Sequence, residues 1–256
     1  MGGLQRLFKM KILAVETTGK YGSAALIDDE GRVYAADSHD GNEHLREIIG
    51  SVESALEKAA CSKDEITHVA ASVGPGSFTG IRIGVTAART FAQMKNIPCI
   101  AVSSLEGMAA RTCADAVEKG CSVIAPIINA RRHQTYAGAW RIKEAALEPL
   151  LEERQYMIEE LIETLPEGEK IYFTGDGIDA YEEIINDGMA DGTYVFAPED
   201  IRYQHASSVA VIALGKARAG ELLGYNELLP EYMRLAEAEQ KLKEGSLSDK
   251  ICKISR

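Results

Sequence analysis

The run Val73-Gly74-Pro75-Gly76-Ser77-Phe78-Thr79-Gly80-Ile81-Arg82-Ile83-Gly84 constrains this chain more than any other segment, because it joins an apolar strand to a helix through glycines, a proline and two hydroxyls. The residues before it, Val69 to Val73, read as a short buried strand. After it, Ile81, Val85, Ala88 and Ala92 recur at helical spacing. Pro75 and the glycines stop either element from running through the junction. Two readings of such a loop stay open. Free amides at a helix N-terminus bind an anion, or Ser77 or Thr79 caps the helix in a tight turn. A Walker phosphate loop is excluded, since no lysine follows Gly80 and Arg82 comes one place too late.

On either side the chain alternates strands and helices. Residues 12–17 read as a buried strand, and residues 23–27 and 32–36 as a hairpin across Asp28-Asp29-Glu30-Gly31. A helix is expected from about Asn42, with Leu45, Ile48, Ile49, Val52, Leu56 and Ala59 on its apolar side. The strand at Val69, a helix to about Lys95 and a strand over 98–102 complete the first round. A second round comprises strands at 122–129, 135–141 and 170–174 and helices at 156–165 and 180–186. A late helix over 205–219 and a charged helical tail over 236–243 follow. No repeat of fixed period links the two rounds.

The formal charge of −11 argues against a chain that grips nucleic acid by itself, because phosphate binding needs clustered Lys and Arg. Residues 66–105 nevertheless contain no acid while including Arg82, Arg89 and Lys95, so this segment is a candidate contact surface. The five cysteines form no C-x-x-C pair and read as reduced thiols of a cytoplasmic protein. The apolar run after Lys11 is too short for a signal-peptide core, no segment has the length of a membrane span, and Met10 is an alternative start. Among the five histidines His39 and His44 lie closest, yet on an ideal helix they would point about 140° apart. No serine-nucleophile context is present either, since Ser77 does not sit in G-x-S-x-G.

The junction string closely resembles the signature of the TsaB (YeaZ) family of tRNA threonylcarbamoyladenosine synthesis and of its catalytic paralogue TsaD. The resemblance spans nearly the whole chain. It includes Lys11-Ile12-Leu13-Ala14-Val15-Glu16-Thr17-Thr18, the signature loop, Pro126-Ile127-Ile128-Asn129-Ala130-Arg131 and Pro230-Glu231-Tyr232-Met233-Arg234, in that order. It implies an α/β fold of the actin-like ATPase (ASKHA) type with two ribonuclease-H-like subdomains. These would cover residues 10–105 and 106–204, with residues 205–256 closing back on the first. Glu16 would stand where actin-like ATPases keep an acid for a metal–nucleotide complex, and Asn129 would replace a second acid. Gly175-Asp176-Gly177 resembles an adenosine-contact turn, although a plain strand-to-helix turn explains it equally. These residues would line a remnant nucleotide cleft, with no catalytic group and no cofactor of its own.

The paralogue binds its metal through two histidines in a motif like N-H-L-E-G-H. The matching segment here is Ser103-Ser104-Leu105-Glu106-Gly107-Met108, where a serine and a thioether replace both imidazoles. The resemblance therefore implies a scaffold subunit without metal. It would pair with the TsaD paralogue, form a homodimer when alone, join a TsaE-type ATPase in a larger assembly, and meet tRNA only through the complex. An active phosphotransferase and a metallopeptidase are the competing classes. Gly80, Gly84 and Ala88 at i, i+4 and i+8, with Ile81, Val85 and Ala92 beside them, suggest a stripe that a partner helix can approach. The residues Leu45, Ile48 and Val52 would join it. A glutamate at Ala88 is then expected to break pairing and leave the fold intact.

Overall fold

The computed structural model describes residues 9–37, 44–144 and 146–233, and for residues 44–47 the backbone only. Leu45 and His44 are therefore placed on a helix without their side chains. His39, Arg234, the tail over 236–243 and Cys252 lie outside the described residues.

The first sheet contains β1 (Lys11–Glu16), β2 (Ser23–Asp28), β3 (Val33–Asp37), β4 (His68–Gly74) and β5 (Cys99–Ser103), in the order β3-β2-β1-β4-β5. The first three form an antiparallel meander, with Leu13 opposite Leu26 and Leu26 opposite Tyr34. The Asp28 side chain closes the first turn of that meander by accepting the N–H groups of Glu30 and Arg32, each at 3.0 Å. β4 and β5 continue the sheet in parallel, Leu13 facing Val69 and Ala70 facing Ile100.

Because side chains alternate across a strand, β1 feeds two cores. Leu13 packs with Ile81, Val85, Ala88 and Ala92 of α2 (Phe78–Lys95). On the other face Ile12 and Ala14 meet Ala206, Val209, Ala210 and Ala213 of α6 (Ala206–Ala219). The alanines of α6 let its backbone lie close on the sheet. Val15 packs with Ile48 and Ala55 of α1 (His44–Lys58). Burial on both faces explains why β1 and β4 read as unbroken apolar runs.

The chain leaves this sheet through α3 (Ser104–Glu118), whose Leu105, Met108, Ala109 and Ala116 enter the core of the second sheet. That sheet contains β6 (Val123–Asn129), β7 (Gln134–Lys143), β8 (Ala146–Met157), β9 (Ile171–Thr174) and β10 (Tyr194–Phe196), in the order β10-β9-β6-β7-β8. Helices α4 (Ile158–Thr164) and α5 (Gly177–Gly188) complete it. Numbered within its own half, each sheet has the order 3-2-1-4-5, so the duplication absent from the sequence is present in the topology. This is the two-sheet α/β architecture of the actin-like ATPases.

Some elements differ from expectation. The helix expected over 156–165 begins only at Ile158, because Tyr156 is a buried strand residue opposite Thr135. β8 and β10 have no counterpart among the expected strands, and α3 has none among the expected helices. β8 is an edge strand carrying Glu148, Glu152, Glu153 and Arg154, and its alternation is masked by charge. No helix among the described residues is long and apolar enough to cross a membrane.

Candidate functional site

The signature loop turns around Ser77, which is the N-cap of α2. Its side chain accepts the Gly80 N–H at 3.2 Å and its carbonyl accepts the Ile81 N–H at 2.8 Å. Ser77 in turn donates its own N–H to the Thr18 carbonyl at 2.8 Å. These amides are consumed by protein acceptors, so of the two readings of the loop the capped turn is the one observed. The glycines serve a close approach. A Cβ on Gly80 would lie 1.9 Å from the Thr17 carbonyl oxygen, and one on Gly76, at φ +152, would lie 2.4 Å from that of Thr18. The Thr17 hydroxyl donates to the Gly80 carbonyl at 2.7 Å, which ties the end of β1 to the start of α2.

Glu16 lies beneath this junction and is only 1 % exposed. One carboxylate oxygen accepts the Thr18 N–H at 2.5 Å and the Thr18 hydroxyl at 2.6 Å, and the other accepts the Ser72 hydroxyl. Burial pushes its carboxyl above the ordinary range, against the pull of these hydrogen bonds. Its oxygens are spent on the loop that follows it, and its side chain is sealed from solvent.

Asn129, Gly175, Asp176 and Gly177 do come together, at the C-terminal ends of the neighbouring strands β6 and β9. The Asn129 N–H donates to the Asp176 carboxylate at 3.2 Å. The Asn129 side-chain oxygen accepts the Arg131 N–H at 2.8 Å and shares the Tyr181 hydroxyl proton with the Gln134 carbonyl. Burial raises the Asp176 carboxyl. Gly175 and Gly177 are needed to cross β6, since added Cβ atoms would fall 2.2 Å and 2.9 Å from the Ile127 carbonyl oxygen. That close crossing accounts for both glycines without a ligand.

The positions matching the paralogue's histidines do not fit a metal. Ser104 is buried with its hydroxyl 2.8 Å from that of Thr18, and Met108 is wholly enclosed in the second apolar core. No group of three or more His, Cys, Asp or Glu side chains converges among the described residues. A further chain of polar contacts runs from Asp37 to His205 Nε2 at 2.5 Å and from His205 Nδ1 to the Ser207 hydroxyl at 2.6 Å. It lacks a free base, because Nδ1 already accepts the Ser207 N–H as the N-cap of α6.

The stripe expected to meet a partner helix is used inside the chain. Gly80, Ile81, Gly84, Val85, Ala88 and Ala92 are buried, as is Ile48, and Val52 is partly buried. Gly84 lies so close to β1 that a Cβ would fall 2.4 Å from the Thr17 hydroxyl. Ala88 is buried in the same cluster, so a glutamate there would enter the core. The faces turned outward carry Ile49 on α1 and Phe78, Arg82, Thr86 and Thr90 on α2.

One contact between the halves yields a pH prediction. Glu153 of β8 accepts the hydroxyl of Ser103, the N-cap of α3, which itself accepts the Leu105 N–H at 3.1 Å. Burial is the main cause of its raised carboxyl, with Glu106 and Glu231 adding to it and Ser103 and Lys216 opposing. A carboxyl whose folded value exceeds the unfolded one favours the fold only while protonated. That contribution is present below about 4.5 and is lost as pH rises through the folded value. Glu153→Gln keeps the acceptor and removes the ionisation. The Tm of this variant relative to the parent is expected to rise between about pH 4 and pH 7, and a difference flat with pH would refute it.

These features define a class: an actin-like two-sheet protein whose strand-end acid is sealed and in which Ser104 and Met108 are packed inside. The family profile described as "TsaD: tRNA N6-adenosine threonylcarbamoyltransferase" matches residues 39–242. The chain is 31% identical over 234 residues to "tRNA threonylcarbamoyladenosine biosynthesis protein TsaB" of Bacillus subtilis (strain 168), covering 91% of this chain and 97% of that protein. With TsaB of Escherichia coli (strain K12) it shares 39% identity over 100 residues, 39% of this chain and 43% of that one. The solved structure of YeaZ from Pseudomonas aeruginosa has the same fold, with a TM-score of 0.75 at 24% identity over 87% of this chain and 99% of that one. The chain belongs to the TsaB (YeaZ) family of tRNA threonylcarbamoyladenosine biosynthesis proteins.

Proposed function

We propose that this chain is the non-catalytic scaffold subunit of the assembly that places threonylcarbamoyl on N6 of adenosine 37 in tRNAs. It pairs with a TsaD-type paralogue that holds the metal. Without the paralogue it forms a homodimer, and in the larger assembly it meets a TsaE-type ATPase. The observation that supports this reading most is the conversion of both metal-ligand positions into core, in a chain that matches TsaB over most of its length. The sealed carboxylate of Glu16 points the same way, because a buried acid with its lone pairs engaged is a poor metal ligand.

The pairing surface is the outward side of α1 and α2, with Ile49, Phe78, Arg82 and Thr86 in place of the buried stripe. A contact of standard size there would bury on the order of 1,600 Å² in total. Phosphate contacts come from the assembled complex, since a chain of formal charge −11 repels a polyanion. The test is reconstitution from purified paralogue, ATPase, threonylcarbamoyl-adenylate synthase and tRNA. Omitting this chain is expected to reduce modification to background, although it supplies no metal ligand. Full, repeated turnover without it would sink the scaffold reading.

A further inference from the structure

A guanidinium near the start of α2 is held on two sides and pairs with no acid among the described residues. The Arg82 carbon Cζ lies 3.9 Å from the centre of the Phe78 ring, one helical turn earlier, and Arg82 Nε donates to the Tyr232 hydroxyl at 2.9 Å. The Phe78 and Tyr232 rings pack together at 4.7 Å between centroids. Tyr232 comes from the distant segment after α6, and that segment is itself fixed. The Glu231 N–H donates to the Val73 carbonyl at 2.8 Å, Gly74 lies directly under the Glu231 carbonyl, and Leu228 is fully buried in the α2 core. Two motifs far apart in sequence, the signature loop and Pro230-Glu231-Tyr232, thus meet to orient one side chain.

Among the described residues Arg32, Arg141, Arg154 and Arg202 each pair with a carboxylate, whereas Arg82, like Arg89, Arg111, Arg131, Arg132 and Arg218, does not; what sets Arg82 apart is its stacking on Phe78 together with the Tyr232 bond. The Nε bond is the hydrogen bond that Arg82 makes among the described residues, so the two amino groups of its fork have no acceptor there, on an exposed side chain. The arrangement has lost its rotamer freedom before any ligand arrives, so it binds a planar anion with little further ordering. Phe78 and Tyr232 remain 38% and 40% exposed beside it, a combination of Arg and aromatic surface that marks energetic centres of protein interfaces.

We propose that Phe78, Arg82 and Tyr232 form a preformed clamp for a single carboxylate presented by the paralogue. This deepens the pairing reading and rests on it. A carboxylate is favoured over RNA phosphate because phosphate binding needs several clustered cations. This surface offers one oriented guanidinium on a chain of charge −11. The stretch from 66 to 105, which carries Phe78 and Arg82, contains no acidic residue of its own.

The experiment measures the affinity of the full chain for the purified paralogue, with folding checked by thermal unfolding. Arg82→Ala is expected to weaken pairing by about 30-fold or more, and Arg82→Lys by nearly as much, since an ammonium neither stacks nor forks. Tyr232→Phe, which removes only the hydroxyl that orients Nε, is expected to weaken it about five-fold. Arg89→Ala, a neighbouring base outside the clamp, is expected to change it less than about two-fold. If the unaltered chain does not bind the paralogue, the pairing reading fails and the clamp falls with it. If it binds and Arg82→Ala pairs equally well, only the clamp is wrong. Loss of tRNA binding by the Arg82→Ala complex with pairing unchanged would assign the anion to phosphate and likewise overturn the carboxylate clamp.

Discussion

Gly80→Ala is expected to lower the melting temperature by roughly 6–12 °C, the equivalent of about 3 kcal/mol in a chain of this size. The new methyl would stand 1.9 Å from the Thr17 carbonyl oxygen, a backbone atom in a residue only 1 % exposed. Neither side can yield cheaply. Thr17 is bonded to the Gly80 carbonyl and is the residue between Glu16 and Thr18, whose mutual hydrogen bonds fix the loop. Relief therefore requires the first turn of α2 to lift away from β1, which breaks the packing of Ile81 on Leu13 and displaces Phe78 and Arg82. Gly50→Ala is the matched control. Gly50 lies in α1 with nothing within 4 Å of an added Cβ, so alanine there is expected to stabilise the helix by about 0.5–1 kcal/mol. Thermal unfolding of both variants checks the pair. A Gly80→Ala protein melting within about 2 °C of the parent would show that the close approach is wrong.

What could be read from the sequence follows from how local each signal is. The strand-to-helix junction, the meander of β1 to β3 and the N-cap at Ser77 are set by neighbours within a few residues. They agree with propensity and pattern. The direction in which α2 faces is not local. Gly80, Gly84 and Ala88 form a smooth stripe in any helix of this sequence. Whether β1 or a partner occupies it depends on Thr17, which is distant in sequence and reaches the Gly80 carbonyl. Glu16 poses the same problem, since its strand-end position is visible while the Ser72 hydroxyl that satisfies it comes from β4. β8 was obscured for another reason: its charged residues on an edge strand dilute the period-two pattern. The clamp on Arg82 needs Tyr232, and nothing in the separation of the two residues signals their contact. A signal was still present in the exposed aromatic and arginine at i, i+4 in an acid-free segment.

Placing histidines at both positions by the double substitution Ser104→His and Met108→His is expected to destabilise the protein by about 2–6 kcal/mol without creating a metal site. Met108 has no exposed surface and sits in an apolar cluster with Leu105 and Ile124, so an imidazole there buries two ring nitrogens with no partner, at about 1–3 kcal/mol. At Ser104 a larger side chain must enter a filled position and break the contact with the Thr18 hydroxyl, which overpacks by about another 1–3 kcal/mol. Because the two sites are adjacent on one face of α3, the penalties add to about 2–6 kcal/mol, which approaches the low end of the whole stability of an ordinary domain, about 5–15 kcal/mol. Metal cannot restore the balance through two ligands. No other His, Cys, Asp or Glu group of three converges among the described residues, and even a thousand-fold excess over the dissociation constant returns only about 4 kcal/mol. Metal analysis and thermal unfolding of the double variant with and without added zinc decide the matter. A folded double variant carrying one ion per chain would mean that the cavity of the paralogue's metal persists here in latent form. A destabilised variant without metal is the expected result, and it would show that the packing around Ser104 and Met108 excludes two imidazoles.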